Sequence, residues 1–174
     1  MKVLARCFVA LLLVPPLAAA QRASLPNMVE ITPTLVTSGQ PSAEALAGLK
    51  AQGFEAVIYL APPTVQDAVR DEHLIVARQG LIYVNIPIRF DDPTAEDFAT
   101  FASVLRALGE RKVLVHCQVN MRASSMVFLY RTIHLKQDAR RAYDSVSRIW
   151  VPHGPWKRLI DTQLAKNGIA FELL

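Results

Sequence analysis

Short apolar runs alternate with longer helical patterns along this chain of 174 residues, and that order leaves few folds open. Consecutive parallel strands need a crossover between them, which is usually a helix. The repeated order of strand then helix therefore predicts an α/β domain, with a mostly parallel sheet of about four or five strands between helices on both faces. The predicted strands are 35–38, 55–60, 81–86 and 113–117.

The helices are predicted from capping residues and from apolar positions at helical spacing. Ser42 caps a first helix, which Gly53 ends. Thr94 and Asp97 resemble a capping box, so another helix begins at Thr94. Residues 123–135 are apolar on nearly all sides, which predicts a helix buried at the centre of the domain. The helix capped by Ser42 spans 42–51, and the other predicted helical ranges are 65–78, 138–150 and 155–166.

The first 20 residues have the pattern of a secretory signal peptide, with a basic start at Lys2 and Arg6, an apolar centre and a run of alanines. The apolar run is shorter than the roughly 20 residues of a transmembrane helix. Residues 1–20 are therefore expected to be a cleaved leader. Residues 21–174 are expected to form a single domain, which is secreted or periplasmic and is not inserted stably in a membrane.

Removing that leader leaves Cys117 as the single thiol of a chain with 2 cysteines. An unpaired cysteine in an oxidising compartment indicates reactivity, because disulfides form there. The formal charge of +4 includes Lys2 and Arg6, so it falls to +2 in the mature domain. The remaining basic residues are scattered rather than arranged in a stripe, which argues against a nucleic-acid partner.

The segment 113–124, VLVHCQVNMRAS, carries the chemistry of the chain. A strand pattern ends at Cys117, and Arg122 follows after four intervening residues. A short loop of backbone N–H groups and the start of a helix would then surround an anion at the end of the strand. A helix N-terminus and a guanidinium both favour the thiolate, which is a nucleophile. The plainer alternative is a core strand that ends in a small buried cysteine.

A phosphate ester also needs a proton for its leaving group. Asp91 and Asp92 follow the strand 81–86, and active sites of open parallel sheets lie at the carboxyl ends of the strands. Either aspartate is a candidate general acid. Both could equally serve only the turn before Pro93 or the start of the next helix.

These features resemble the cysteine-dependent protein tyrosine and dual-specificity phosphatases. More closely, they are similar to a bacterial group related to the phosphatase-like domain of β-lactamase hydrolase-like proteins. The matching residues are Ser38–Pro41, Pro93–Thr94 and the segment HCQVNMRAS, within a resemblance that spans roughly 31–156. The resemblance implies a tyrosine/dual-specificity phosphatase fold and a site that needs no metal or cofactor.

The resemblance also implies residue roles. Cys117 would attack phosphorus to form a thiophosphate, and Arg122 would bind the equatorial oxygens. Asp91, or less readily Asp92, would protonate the leaving oxygen. His116 would shape the loop by hydrogen bonding and favour the thiolate, and Ser124 would hydrogen-bond the sulfur. The loop N–H groups that would bind phosphate belong to Gln118, Val119, Asn120, Met121 and Arg122.

The loop departs from the usual pattern of that superfamily, since it is one residue shorter, holds Asn120 where glycine is expected, and places Ala123 between the arginine and the serine. Asparagine tolerates left-handed backbone better than most residues. The short loop resembles that of the rhodanese sulfurtransferases. Three functions therefore stay open: a phosphatase acting on a phosphorylated protein or small phosphate ester, a sulfurtransferase, and a non-catalytic phosphate-binding module.

Overall fold

One five-stranded sheet organises residues 25–173, which are the residues that this computed structural model describes. Its strands are β1 (Val29–Thr32), β2 (Leu35–Ser38), β3 (Ala56–Tyr59), β4 (Ile82–Asn85) and β5 (Val113–His116). Their spatial order is β1-β2-β5-β3-β4. The strands β2, β5, β3 and β4 are parallel to their neighbours, and β1 is antiparallel to β2. The predicted α/β class and mostly parallel sheet are confirmed.

Helices cover both faces of this sheet. They are α1 (Ala43–Ala47), α2 (Glu72–Ala77), α3 (Ala95–Leu108), α4 (Met121–Ile133), α5 (Ala139–Ser147) and α6 (Gly154–Lys166). Successive strand side chains point to opposite faces. Val57 and Leu114 belong to the smaller core beneath α1 and α2, whereas Ile58 and Val115 belong to the larger core beneath the other helices. The central strand β5 is buried on both faces.

Three elements of the structure differ from the sequence prediction. The strand β1 is not predicted, because four residues with one buried position give almost no periodic signal. The predicted helix 65–78 is wrong in its first half, since only α2 is α-helical and Asp71 before it has φ 59° in the left-handed region. The predicted helix 42–51 is interrupted at Gly48, after which Lys50–Gln52 form a 3₁₀ turn.

The predicted caps and the central helix are confirmed. Ser42 Oγ accepts from Ala45 N at 3.2 Å. Both bonds of the capping box of α3 are present, at 3.1 Å to Thr94 Oγ1 and 2.8 Å to the Asp97 carboxylate. Every residue of α4 after Met121 is buried. The predicted leader lies outside the described residues, and within residues 25–173 no helix has the length and apolar character to cross a membrane.

Candidate active site

A tight turn joins β5 to α4, and we refer to Cys117–Arg122 as the cysteine loop. Cys117 is fully buried, and its N–H donates to Ser38 O at 3.3 Å. Asn120 has φ 74° and precedes the first residue of α4. The helix begins at Met121, two residues earlier than predicted, so its first N–H groups, which have no intrahelical partner, belong to the loop itself. Strand, thiol, turn and helix N-terminus therefore follow one another as the sequence predicts.

The segment after β2 packs directly on the cysteine loop. Gln40 N donates to Gln118 O at 2.9 Å, and Gly39 pairs with Val119 in an isolated antiparallel bridge. A Cβ atom added at Gly39 would lie 2.9 Å from Gln118 O, closer than real Cβ atoms approach other atoms. The glycine of the motif Ser38–Pro41 is therefore needed so that the two backbones can approach.

Arg122 is 4% exposed and is oriented by three contacts. Its Nε donates to Ile88 O at 3.0 Å, and its Nη1 donates to Gln118 Oε1 at 3.3 Å. Its guanidinium carbon lies 5.0 Å from the centroid of the Phe90 ring. A guanidinium has five N–H donors, so these two hydrogen bonds orient the group and leave donors for an anion.

Aromatic packing holds the segment after β4 against this arginine. The Phe90 ring centroid lies 5.8 Å from that of Trp150 and 5.8 Å from that of Trp156. Trp156 Nε1 also donates to Phe90 O at 2.9 Å. Both tryptophans are nearly buried, as expected of packing residues. The two candidate acids follow Phe90 directly.

Asp91 and Asp92 are both exposed on this segment. Asp91 forms an ion pair with Arg89, in which Oδ2 and Nη2 are 2.9 Å apart. The hydrogen bond from Arg89 holds the pKa of Asp91 below its usual value, which favours the carboxylate form of this side chain. Thr94 caps α3, so neither aspartate serves as its N-cap.

His116 contacts a residue that the sequence motifs do not single out. Its Nε2 lies 2.8 Å from Glu72 Oε1, and its ring stacks on that of Tyr59 with the centroids 4.8 Å apart. Glu72 is 4% exposed, and its other oxygen accepts from Gln40 Nε2 at 2.7 Å. One signal is present in the sequence: Glu72 lies four residues before the buried Val76, on the same face of α2.

The expected hydrogen bonds of two site residues differ from those observed. The bond of His116 goes to Glu72 of α2 rather than to the loop, and within the described residues its Nδ1 has no hydrogen-bond partner. Ser124 Oγ donates to Met121 O at 3.2 Å rather than to the sulfur of Cys117. Serine in a first helical turn commonly bonds to a nearby carbonyl in this way.

A third carboxylate, Asp67, also lies at the cysteine loop. Its Oδ1 accepts from Gln118 Nε2 at 2.7 Å, while the carbonyl oxygen of the same side-chain amide accepts from Arg122. Gln118 thus bridges Asp67 and Arg122. Asp67 belongs to the turns between β3 and α2, where the sequence pattern predicts a helix, so its position could not be foreseen.

The chain is similar to known proteins in sequence. The model of the family described as DSP-PTPase phosphatase fused to NAD+ kinase matches residues 19–155. The β-lactamase hydrolase-like protein of Xylella fastidiosa (strain Temecula1) is 29% identical over 131 residues, which are 74% of this chain. The chain spans only 29% of the length of that curated relative.

Solved structures share the fold. A DUF442 protein of Shewanella putrefaciens CN-32 superposes with a TM-score of 0.76 and 28% identity, covering 82% of this chain and 94% of the other. A variant of TpbA from P. aeruginosa, solved in complex with pTyr, superposes with a TM-score of 0.58 and 20% identity. That alignment covers 80% of this chain and 81% of TpbA.

Proposed function

This chain belongs to the family of DSP-PTPase phosphatases, and we propose that it hydrolyses phosphate monoesters through a thiophosphate intermediate on Cys117. The observation that carries the proposal is the placement of Arg122. It is nearly buried and is fixed by Ile88 O and Gln118, beside the turn that joins the thiol to the N-terminus of α4. A nucleophile and an anion-binding group are thereby combined in one loop.

The proposed reaction has two displacements at phosphorus. The Cys117 thiolate forms an S–P bond while the ester P–O bond breaks, and the leaving oxygen takes a proton from an acid. Water then attacks the thiophosphate and gives a proton to the conjugate base of that acid, the S–P bond breaks, and the thiolate and inorganic phosphate are released. Arg122 and the loop N–H groups stabilise the equatorial oxygens in both steps, because charge is redistributed over them.

We propose that the acid is one of the two aspartates after Phe90, with Asp92 favoured over Asp91. The hydrogen bond in the ion pair with Arg89 lowers the pKa of Asp91, so at a given pH a smaller fraction of this carboxyl carries a proton to donate. The ring of Phe90 contacts Arg122, so the segment that carries both aspartates runs beside the anion-binding group. The resemblance alone implies Asp91 before Asp92, and the ion pair with Arg89 reverses that order.

The proposed substrate is a phosphorylated protein or a small phosphate ester in the export compartment. The leader pattern of residues 1–20 supports export. The bound pTyr of TpbA supports an aryl phosphate as the first model substrate. The β-lactamase hydrolase-like protein is much longer than this chain and adds no preference among substrates.

Sulfur transfer is the second candidate, because only four residues separate Cys117 from Arg122. In that reaction the Cys117 thiolate would take the sulfane sulfur of thiosulfate, forming a persulfide while the S–S bond of thiosulfate breaks and sulfite leaves. Cyanide would then take the outer sulfur as thiocyanate and restore the thiolate. No general acid is needed. Loss of the aspartates would therefore affect phosphate-ester hydrolysis but would leave sulfur transfer nearly unchanged.

The deciding experiment compares both activities in the mature protein from Gln21 under reducing conditions. Hydrolysis of p-nitrophenyl phosphate and thiosulfate-to-cyanide transfer are measured side by side, with Cys117→Ser as the control. We expect phosphate release that disappears in the serine variant. Sulfur transfer alone would establish the second candidate, and phosphate binding without either reaction would establish a binding module.

A further inference from the structure

The residues that precede β1 lie against the cysteine loop. We refer to Leu25–Met28 as the amino-terminal segment. Asn27 Nδ2 donates to Val119 O at 3.3 Å, and Asn120 Nδ2 donates to Asn27 O at 2.7 Å. Pro26 O accepts from Gly39 N at 2.7 Å. Two reciprocal hydrogen bonds thus join positions that are 92 and 93 residues apart in the sequence.

Asn120 combines a backbone conformation and a side chain that glycine could not supply together. Its φ of 74° lies in the left-handed region, where glycine is unstrained and asparagine is tolerated better than most other residues. Its side chain is fully buried, and its Nδ2 also donates to Thr37 Oγ1 at 3.1 Å. A glycine would relieve the backbone but would lose both hydrogen bonds. The side chain therefore has a role beyond permitting the turn.

Asn27 also has a left-handed backbone and a side-chain amide at the loop. Its φ is 48°, and its amide holds a carbonyl of the cysteine loop. Because a trans peptide is planar, its N–H points opposite to its C=O. Val119 O and the Asn120 N–H belong to one peptide group. The hydrogen bond from Asn27 to Val119 O therefore also fixes the direction of the Asn120 N–H. On the preceding peptide, Gln40 N holds Gln118 O and so fixes the direction of the Val119 N–H.

We propose that Asn27 and Asn120 are positioning residues, and that the amino-terminal segment is part of the apparatus that orients the cysteine loop for anion binding. The proposal rests on the proposed function, because it assigns the orientation of the loop to the task of binding phosphate. Neither asparagine side chain touches the substrate in this role. Each acts through the peptide between Val119 and Asn120.

The test uses the Asn27→Gly and Asn120→Gly variants, which keep left-handed backbone accessible. The dissociation constant of inorganic phosphate is measured by calorimetry in a Cys117→Ser background, and kcat and KM for p-nitrophenyl phosphate are measured with Cys117 present. We expect each substitution to weaken phosphate binding about tenfold and to lower kcat. The effects of the two substitutions should be less than additive in the double variant, because both side chains act on the same peptide between Val119 and Asn120.

Asn167→Gly is the matched control. The Asn167 amide also bonds a backbone carbonyl, that of Gln163 at 2.8 Å, but it does so at the end of α6. Its phosphate affinity and kcat should equal those of the parent protein. Thermal unfolding of all variants separates a change in loop orientation from a general loss of stability, since the proposal requires weaker phosphate binding at a melting temperature close to that of the parent.

The outcomes distinguish this proposal from the proposed function. Unchanged phosphate affinity and kcat in both glycine variants would overturn the positioning role, whatever the protein catalyses. A parent protein that binds phosphate without hydrolysing an ester would contradict the phosphatase proposal alone, and weaker binding by the variants would still support the positioning role. A parent protein that neither binds phosphate nor hydrolyses an ester would overturn both.

Discussion

The Glu72 carboxylate and the His116 imidazole form a buried pair, with Oε1 and Nε2 2.8 Å apart and both side chains almost fully shielded from solvent. This pair links α2, on one face of the sheet, to the residue that precedes the nucleophile. Gln40, from the segment that packs on the cysteine loop, donates to the same carboxylate. Three separate parts of the chain therefore meet behind Cys117.

Replacement of Glu72 should destabilise the protein strongly. Removing one partner of a buried ion or hydrogen-bonded pair typically costs about 3–5 kcal/mol, because the other partner stays buried without compensation. We expect a loss of this order in the free energy of unfolding of Glu72→Ala, measured by urea denaturation. Glu172→Ala changes an exposed glutamate and should have little effect. Equal stability of the two variants would show that the Glu72–His116 contact does not contribute to the free energy of unfolding.

Arg122→Lys should nearly abolish hydrolysis even though it keeps the positive charge. Lysine cannot donate to Ile88 O and Gln118 while also presenting a planar fork to phosphate. Loss of one such donor typically lowers kcat by about 10²–10³-fold. The measurement is kcat for p-nitrophenyl phosphate, with the exposed Arg158→Lys as the control. Activity of Arg122→Lys within a few-fold of the parent would contradict the role of the guanidinium.

The two candidate acids should differ in the size of their effect. We expect Asp92→Asn to lower kcat for an ester with a poor leaving group by about 10²-fold, which is typical of a general acid. Asp91→Asn should have a smaller effect, because the hydrogen bond from Arg89 lowers the pKa of Asp91 and disfavours its protonated form. Esters with good leaving groups should be less affected. A double variant Asp91→Asn, Asp92→Asn with parental activity on both kinds of ester would exclude an acid on this segment.

The ion pair between Asp91 and Arg89 should affect the pH at which Asp91 titrates. The hydrogen bond from Arg89 lowers the pKa of Asp91, so removing the guanidinium should raise that pKa towards the ordinary aspartate value. In the parent protein, Asp91 stays ionised to lower pH than in Arg89→Gln. Titration of the Asp91 carboxyl carbon by NMR measures the shift directly. An unchanged titration curve would mean that the pair does not persist in solution.

Gly39→Ala should impair the site with little change in the fold. The new Cβ would lie 2.9 Å from Gln118 O, so the cysteine loop would have to move. We expect kcat to fall at least about tenfold, since small displacements of reacting groups cost that much or more. Gly48→Ala is the matched control, because its nearest contact would be an ordinary 3.6 Å. Parental kcat in Gly39→Ala would show that the loop tolerates the displacement.

The sequence predicts the centre of this molecule better than its edges. Strand β5 and helix α4 are apolar enough to be recognised, and the thiol and Arg122 follow from their junction. Strand β1 could not be recognised, because an antiparallel edge strand is defined by its partner β2 more than by its own four residues. The turns around Asp67 are not distinguished from a helix, because their apolar residues fall at helical spacing.

The partners of the site residues are the part that sequence patterns could not supply. Glu72 bonds a residue 44 positions away, Asp67 one 51 positions away and Asn27 one 93 positions away. Local periodicity carries no information about such long-range contacts. Glu72 can be recognised in the sequence as a charged residue on an apolar helical face. No sequence pattern distinguishes Asp67 or Asn27.

The packing of Phe90 between Arg122 and the two tryptophans makes intrinsic tryptophan fluorescence a probe of the anion-binding site. The chain has 2 tryptophans, Trp150 and Trp156, and both rings contact Phe90. All of its indole fluorescence therefore arises beside the ring that covers the guanidinium. An oxyanion that draws Arg122 away from Phe90 would alter the surroundings of both indoles, so the emission spectrum could follow occupancy of the site without any added label.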